Sequence, residues 1–244
     1  VATQPSRTTV LRNELTTQIS VGANSGSGVR GYSPTDGKFY KILEDGSTIP
    51  LSQKTFYSVE DVNWANQSDK AVLSFPDGSN VIYDFTFDRQ TTLPSYWEDF
   101  SFAPNDDGIV TKSVGNDPSN RFLITTDENG NNPKVIEELG ENQDKVHVSW
   151  SPNNQVVAYA FTGDAIGLDQ QAIVLVGQNQ ENFRNLLVEG RGFVPRWSPS
   201  GSSIIYSVWN SGDGYLPSLW FSRADGDNIN ANRLDLNLRT WADK

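Results

Sequence analysis

The chain has 244 residues, with 30 acidic against 19 basic side chains and a net charge of −11. It has no cysteine and a single histidine, His147. Disulfides, thiolate metal sites, cysteine catalysis and any site built on two histidines are therefore excluded. The acidic balance lacks the basic footprint of a nucleic-acid binder, and no apolar run is long enough for a transmembrane helix, so no membrane insertion is expected within this segment.

The sequence starts at Val1 and contains no methionine. It therefore reads as a processed or excised piece, and residues 1–6 carry no signal-peptide pattern. The absence of cysteine fits a periplasmic, cell-surface or secreted protein.

In chain order, Thr8 to Ile19 is rich in β-branched residues and reads as strand. Gly26-Ser27-Gly28-Val29-Arg30-Gly31 satisfies GxGxxG, but Tyr32-Ser33-Pro34-Thr35-Asp36-Gly37 follows it instead of a helix. A dinucleotide site needs that helix to receive the pyrophosphate, so the segment is expected to be a loop and no cofactor is expected. Residues 8–33 and 37–46 together read as the inner and outer halves of one irregular four-stranded unit.

A repeat begins at residue 60. An aromatic anchor, flanked by small or apolar residues, recurs at Trp64, Phe102, Trp150 and Trp197, at spacings of 38, 48 and 47 residues. Six or seven residues beyond each anchor a β-rich run begins: Ala71 to Phe75, Ile109 to Ser113, Val156 to Ala160, and Ile204 to Val208. A third strand follows in Val81 to Phe85, Arg121 to Thr125, Ala172 to Val176 and Ser218 to Ser222. Weaker fourth strands are Gln90 to Leu93, Lys134 to Leu139, Asn185 to Val188 and Asn232 to Leu236. Asp-Gly and Asn-Gly pairs such as Asp45-Gly46, Asp77-Gly78 and Asn129-Gly130 punctuate the strands as hairpin turns.

Four strands per unit at this period predict an all-β chain, a β-propeller of four-stranded antiparallel blades. One four-stranded sheet cannot bury both faces, whereas stacked blades cover one another. The expected organisation is a single propeller domain over residues 1–244. Its blades fall at about 1–58, 59–95, 96–141, 142–189 and 190–238, and 239–244 leads toward a further repeat.

Trp150-Ser151-Pro152-Asn153-Asn154 and Trp197-Ser198-Pro199-Ser200-Gly201, each followed by a strand, resemble the TolB-like, WD-repeat-like propeller repeat. Ser222-Arg223-Ala224-Asp225-Gly226 resembles its ending. The resemblance covers about residues 60–237; it is weaker at Phe102 and at Trp64, which lacks the proline. TolB-like propellers usually close with six or more blades. The resemblance thus implies that five blades either close here or meet a partner segment, such as the remainder of the natural chain. It also implies a bacterial-envelope setting.

Aligning the anchors exposes a polar column on the first strand of each blade. Three residues before the anchor stand Asp61, Asp99, His147 and Val194; one residue before stand Asn63, Ser101, Ser149 and Arg196. First strands of a propeller line its channel, so Asp61, Asn63, Asp99, Ser101, His147, Ser149 and Arg196 are the candidate ligand-binding ring. No metal site is expected: Asp127-Glu128-Asn129-Gly130-Asn131 lacks the closing acid of a calcium loop. Glu98 and Asp99, as strand neighbours, are expected on opposite faces. The loops at 163–171 and 210–217 are expected to be recognition surfaces, with Trp209, Tyr215 and Leu216 as partner-binding residues.

Two functions from different classes follow. The first is a non-enzymatic scaffold that binds a protein or peptide partner. The second is a glycoside hydrolase of the five-bladed propeller type, using channel carboxylates such as Asp61 and Asp99.

Overall fold

A computed structural model of the chain describes residues 20–21, 29–43, 45–162, 170–179, 182–189, 191–209, 216–224 and 232–234. The strand predicted over residues 8–19 lies outside them. Five four-stranded antiparallel sheets, each with its strands in sequence order, form the blades of a β-propeller fold.

Blade 1 contains β1 (Ser20–Val21), β2 (Val29–Ser33), β3 (Lys38–Ile42) and β4 (Thr48–Pro50). Blade 2 contains β5 (Asp61–Trp64), β6 (Lys70–Ser74), β7 (Asn80–Asp84) and β8 (Arg89–Leu93). Blade 3 contains β9 (Trp97–Phe102), β10 (Gly108–Val114), β11 (Arg121–Asp127) and β12 (Lys134–Glu138). Blade 4 contains β13 (Val146–Val148), β14 (Val156–Ala160), β15 (Gln170–Gly177) and β16 (Asn182–Glu189). Blade 5 contains β17 (Arg191–Trp197), β18 (Ser203–Trp209), β19 (Pro217–Arg223) and β20 (Asn232–Arg233). Blades 1 and 2 form one compact unit, Val1–Tyr96, and blades 3 to 5 a second, Trp97–Lys244.

Two local expectations change. Half of the GxGxxG segment is strand: Val29, Arg30 and Gly31 belong to β2, and residues 26–28 lie outside the described part. The expected hairpins also form otherwise than as two-residue turns. In the pairs Asp45-Gly46, Asp77-Gly78 and Asn129-Gly130 the glycine alone takes positive φ, at 82°, 80° and 79°. In the first, Gly46 N–H donates to the Leu43 carbonyl (2.9 Å) and Leu43 N–H to the Ser47 carbonyl (2.9 Å). This is a three-residue hairpin with glycine at its left-handed position. The aspartate acts through its side chain, since Asp45 Oδ1 accepts from Ser47 N–H (2.9 Å) and Ser47 Oγ–H (2.6 Å). Asp77 and Ser79 repeat this geometry.

The anchors seal the blades within each unit. In the first unit Trp64, at the end of β5, meets Phe39 of β3 edge-on at 5.6 Å and stacks on Phe85 at 5.4 Å. Arg30 of β2 is fully buried beside it, its guanidinium 4.8 Å from the Trp64 ring centre and donating to the Ala65 (2.7 Å) and Ser68 (2.5 Å) carbonyls. In the second unit the Trp150 ring lies over Gly108 of β10, close enough that an added Cβ would sit 3.6 Å from it. Trp197 Nε1–H donates to Ser149 Oγ at 2.9 Å. Each tryptophan anchor therefore reaches the preceding blade, and the Phe102 anchor is buried.

Blade 4 is packed on both faces. Val157, Ala160 and Val176 meet Val110, Leu123 and Ile136 of blade 3, while Val156, Ile173 and Leu175 meet Phe193, Ile204 and Tyr206 of blade 5. This double burial explains why its strands read as near-continuous apolar runs instead of alternating.

Candidate functional site

In the second unit the polar column is assembled by a bulge. On β9, Phe100 pairs with Thr111 but Glu98 pairs with Lys112, so Asp99 is the extra residue, with φ of 59°. Bulges re-aim side chains, and aspartate tolerates the left-handed region better than most residues. The Asp99 carboxylate is thereby turned toward blade 4, where its Oδ2 accepts from Val148 N–H at 3.1 Å. Two residues on, Ser101 Oγ accepts from Trp150 N–H at 3.1 Å. Three column members, Asp99, Ser101 and Ser149, thus join one blade to the next through hydrogen bonds.

The bulge also overturns the expectation that Glu98 and Asp99 face apart. Both approach the ammonium of Lys112 on β10, at 3.2 Å and 3.8 Å. Lys112 is almost fully buried and also donates to the Gln143 carbonyl at 3.3 Å. Strict alternation does not hold across an inserted residue.

His147 on β13 is half-buried. Its ring stacks on Tyr159 at 5.3 Å and meets Phe161 edge-on at 5.5 Å. Burial pushes its imidazole below the ordinary histidine value; the Asp99 charge pulls it back up and Lys112 pushes it down again. The Tyr159 phenol is raised, first by burial and then by Asp99, with Arg196 opposing. Asp99 and Lys112 of blade 3 therefore act electrostatically on His147 of blade 4, and Asp99 also on Tyr159. Arg196 itself is exposed on β17 and donates to its neighbour's Pro195 carbonyl at 3.0 Å.

The other two candidates belong to the first unit. Asp61 and Asn63 lie on one face of β5, and Asn63 Nδ2–H donates to Asp61 Oδ2 at 2.5 Å. The sequence reading missed Lys112 and Tyr159. Lys112 was detectable as the one charged residue inside the β-rich run 109–113; Tyr159 carried no signal distinguishing it from core.

Among the expected partner-binding residues, Trp209 is the last residue of β18, not a loop residue, because the β-rich run continues one residue further. Its ring abuts Gly192, where an added Cβ would lie 2.6 Å from Nε1. Leu216 is half-buried just before β19, and Tyr215 lies outside the described residues, as do residues 163–169 and 210–215. At the acidic loop, Asp127 binds its own turn, accepting from Asn129 N–H (2.9 Å), Asn131 N–H (2.8 Å) and Asn132 Nδ2–H (3.0 Å). No cluster of three metal-ligating side chains is found among the described residues, and no helix among them is long and apolar enough to cross a membrane.

No protein-family model and no curated protein matches the chain. Solved structures do match in fold. A putative TolB from Agrobacterium tumefaciens aligns over 77% of this chain and 65% of its own length, at 14% identity and a TM-score of 0.55. A β-propeller domain from Myceliophteria thermophila aligns over 91% of this chain and 71% of its own, at 12% identity and a TM-score of 0.57. A eukaryotic initiation factor structure aligns over 91% of this chain, at 13% identity and a TM-score of 0.52. This chain spans only 55% of that structure's length. The chain thus has a β-propeller fold with TolB-like and WD-repeat-like propellers among its structural neighbours.

Proposed function

We propose that this chain is a non-enzymatic binding scaffold for a protein partner at the bacterial cell envelope or surface, and that the partner docks on the open face of blade 5. The observation that carries this is the two-sided chemistry of that blade. One face, with Phe193, Ile204, Tyr206, Val208 and Trp220, is buried in the core shared with blade 4. The alternating face presents Val194 and Ile205, 52% and 39% exposed, together with Arg196 and the half-buried Leu219 and Phe221. An apolar sheet face of this kind marks a protein contact. Elsewhere in the unit, what covers such a face is another sheet, so a partner offering a β-sheet face with an acidic group opposite Arg196 fits it. The fold likeness to TolB-like propellers supports the envelope setting.

The reading is tested with a photo-cross-linking residue placed at Ile205 or, as a control, at Tyr57, which is exposed on the other unit. The cross-linked protein is identified by mass spectrometry, purified and titrated against the full chain. Ile205→Asp should weaken its binding at least tenfold and Tyr57→Asp should not. Cross-linking only from Tyr57, or affinity unchanged by Ile205→Asp, would overturn the proposal.

A further inference from the structure

A groove lies between blades 3 and 4 and encloses about 950 Å³. That is within the range of small-ligand sites, roughly 300–1,000 Å³. It is lined by Trp150 and by Asp107, Asp127, Asn132, Lys134 and Gln178. A second cavity at the same seam, about 240 Å³, is lined largely by apolar core residues such as Leu123, Val146 and Val176.

Three features of the larger groove point to a ligand class. First, its walls are dominated by side-chain carboxylates and amides, which offer donors and acceptors side by side. Second, these groups are held in place. Asn132 is fixed by its bond to Asp127, Asp107 accepts from Asn105 Nδ2–H at 2.8 Å, and Trp150 Nε1–H is fixed on Asn154 Oδ1 at 2.6 Å. With its N–H engaged, Trp150 offers the groove its apolar ring surface. Third, Gln178 is a partly buried wall residue whose side-chain amide oxygen makes no hydrogen bond with the described residues, so its amide is not committed to the fold.

We propose that this groove binds a neutral saccharide, with one sugar ring lying on Trp150 and its hydroxyls meeting the side-chain amides of the wall, Gln178 among them. A sugar ring has an apolar C–H face for the indole and equatorial hydroxyls that both donate and accept. The two carboxylates against one lysine disfavour an acidic sugar. This site is separate from the blade 5 face, and either can fail without the other.

The test uses the full chain labelled with ¹⁵N, titrated with cellotetraose, mannotetraose, maltotetraose and chitotetraose, and with an unrelated tetrapeptide mixture. At least one tetrasaccharide should shift the Trp150 indole N–H and the backbone resonances of residues 125–127 and 178–179. Gln178→Ala, on the groove wall and outside the packed core, should weaken that binding about tenfold while leaving the remaining spectrum in place. Trp150→Ala should abolish it; because Trp150 also seals the seam, Gln178→Ala is the deciding variant. If no tetrasaccharide shifts these resonances at 10 mM, if Gln178→Ala binds as tightly as the parent, or if only the peptides shift them, the proposal is wrong.

Discussion

Replacing Asp99 separates the two things this residue does. Its side chain accepts from Val148 N–H of the next blade and lies 3.8 Å from the Lys112 ammonium, while its backbone holds φ of 59°. The Asp99 side chain is 34% exposed, so its hydrogen bond falls at the lower end for a charged acceptor, about 1–1.5 kcal/mol. The left-handed conformation costs a non-glycine residue without a polar side chain about 1–2 kcal/mol. Asp99→Ala loses both and should destabilise by about 2–3.5 kcal/mol. Asp99→Gly loses only the hydrogen bond and should cost about 1–1.5 kcal/mol. Asp99→Asn keeps an acceptor and a tolerance for positive φ, and should cost less than about 1 kcal/mol. Urea unfolding followed by tryptophan fluorescence gives the three values. The reasoning is refuted if alanine and glycine are indistinguishable, or if alanine lies within about 0.5 kcal/mol of the parent, the range of an ordinary surface substitution.

Other outcomes follow from the same geometry. Gly201 has φ of 69° and an added Cβ would lie 2.5 Å from the Asn153 backbone nitrogen, so Gly201→Ala should cost at least about 2 kcal/mol in a thermal or urea melt. Arg30→Met should destabilise the first unit by about 3 kcal/mol, because the Ala65 and Ser68 carbonyls lose their buried donor; equilibrium unfolding read on Trp64 checks this. The imidazole of His147 is depressed in the folded state, chiefly by burial. The unfolded chain therefore takes up its proton first, near about pH 6.5. The histidine's contribution to stability is full above that pH and is lost as the pH falls through the folded-state value. Because His147 is the one histidine in the sequence, its ring-proton titration by NMR is unambiguous. Its midpoint should lie below that of a histidine peptide, and Asp99→Asn should lower it further, since the Asp99 charge is what opposes the depression.

The fold was legible because the blade repeats its own chemistry. Trp150-Ser151-Pro152 and Trp197-Ser198-Pro199 announce an anchor, a turn and a strand, and the expected four-stranded antiparallel sheets are observed. Strand ends shifted by only a residue or two for most elements, as with β7 and β18. The site was less legible, for a reason Asp99 makes plain. A column read by counting back from the anchor assumes unbroken alternation, and one inserted residue defeats it. The pairing of Glu98 and Asp99 on Lys112 arises from the register shift opposite Lys112, which composition and periodicity do not record. The column residues Asp99, Ser101 and Ser149 were found, but as links between blades. The groove on Trp150 was invisible to a linear reading, because Asp127, at the end of β11, and Gln178, just past β15, come from different blades.

The account rests on tryptophan anchors that occupy equivalent seams. A ¹³C- and ¹⁵N-edited NOESY spectrum of the full chain tests this directly. The Trp64 ring should show cross-peaks to the Phe39 ring, the distal Trp150 ring protons to Gly108 Hα, and the Trp197 indole N–H to Ser149 Hβ. Cross-peaks confined to each tryptophan's own blade would contradict it.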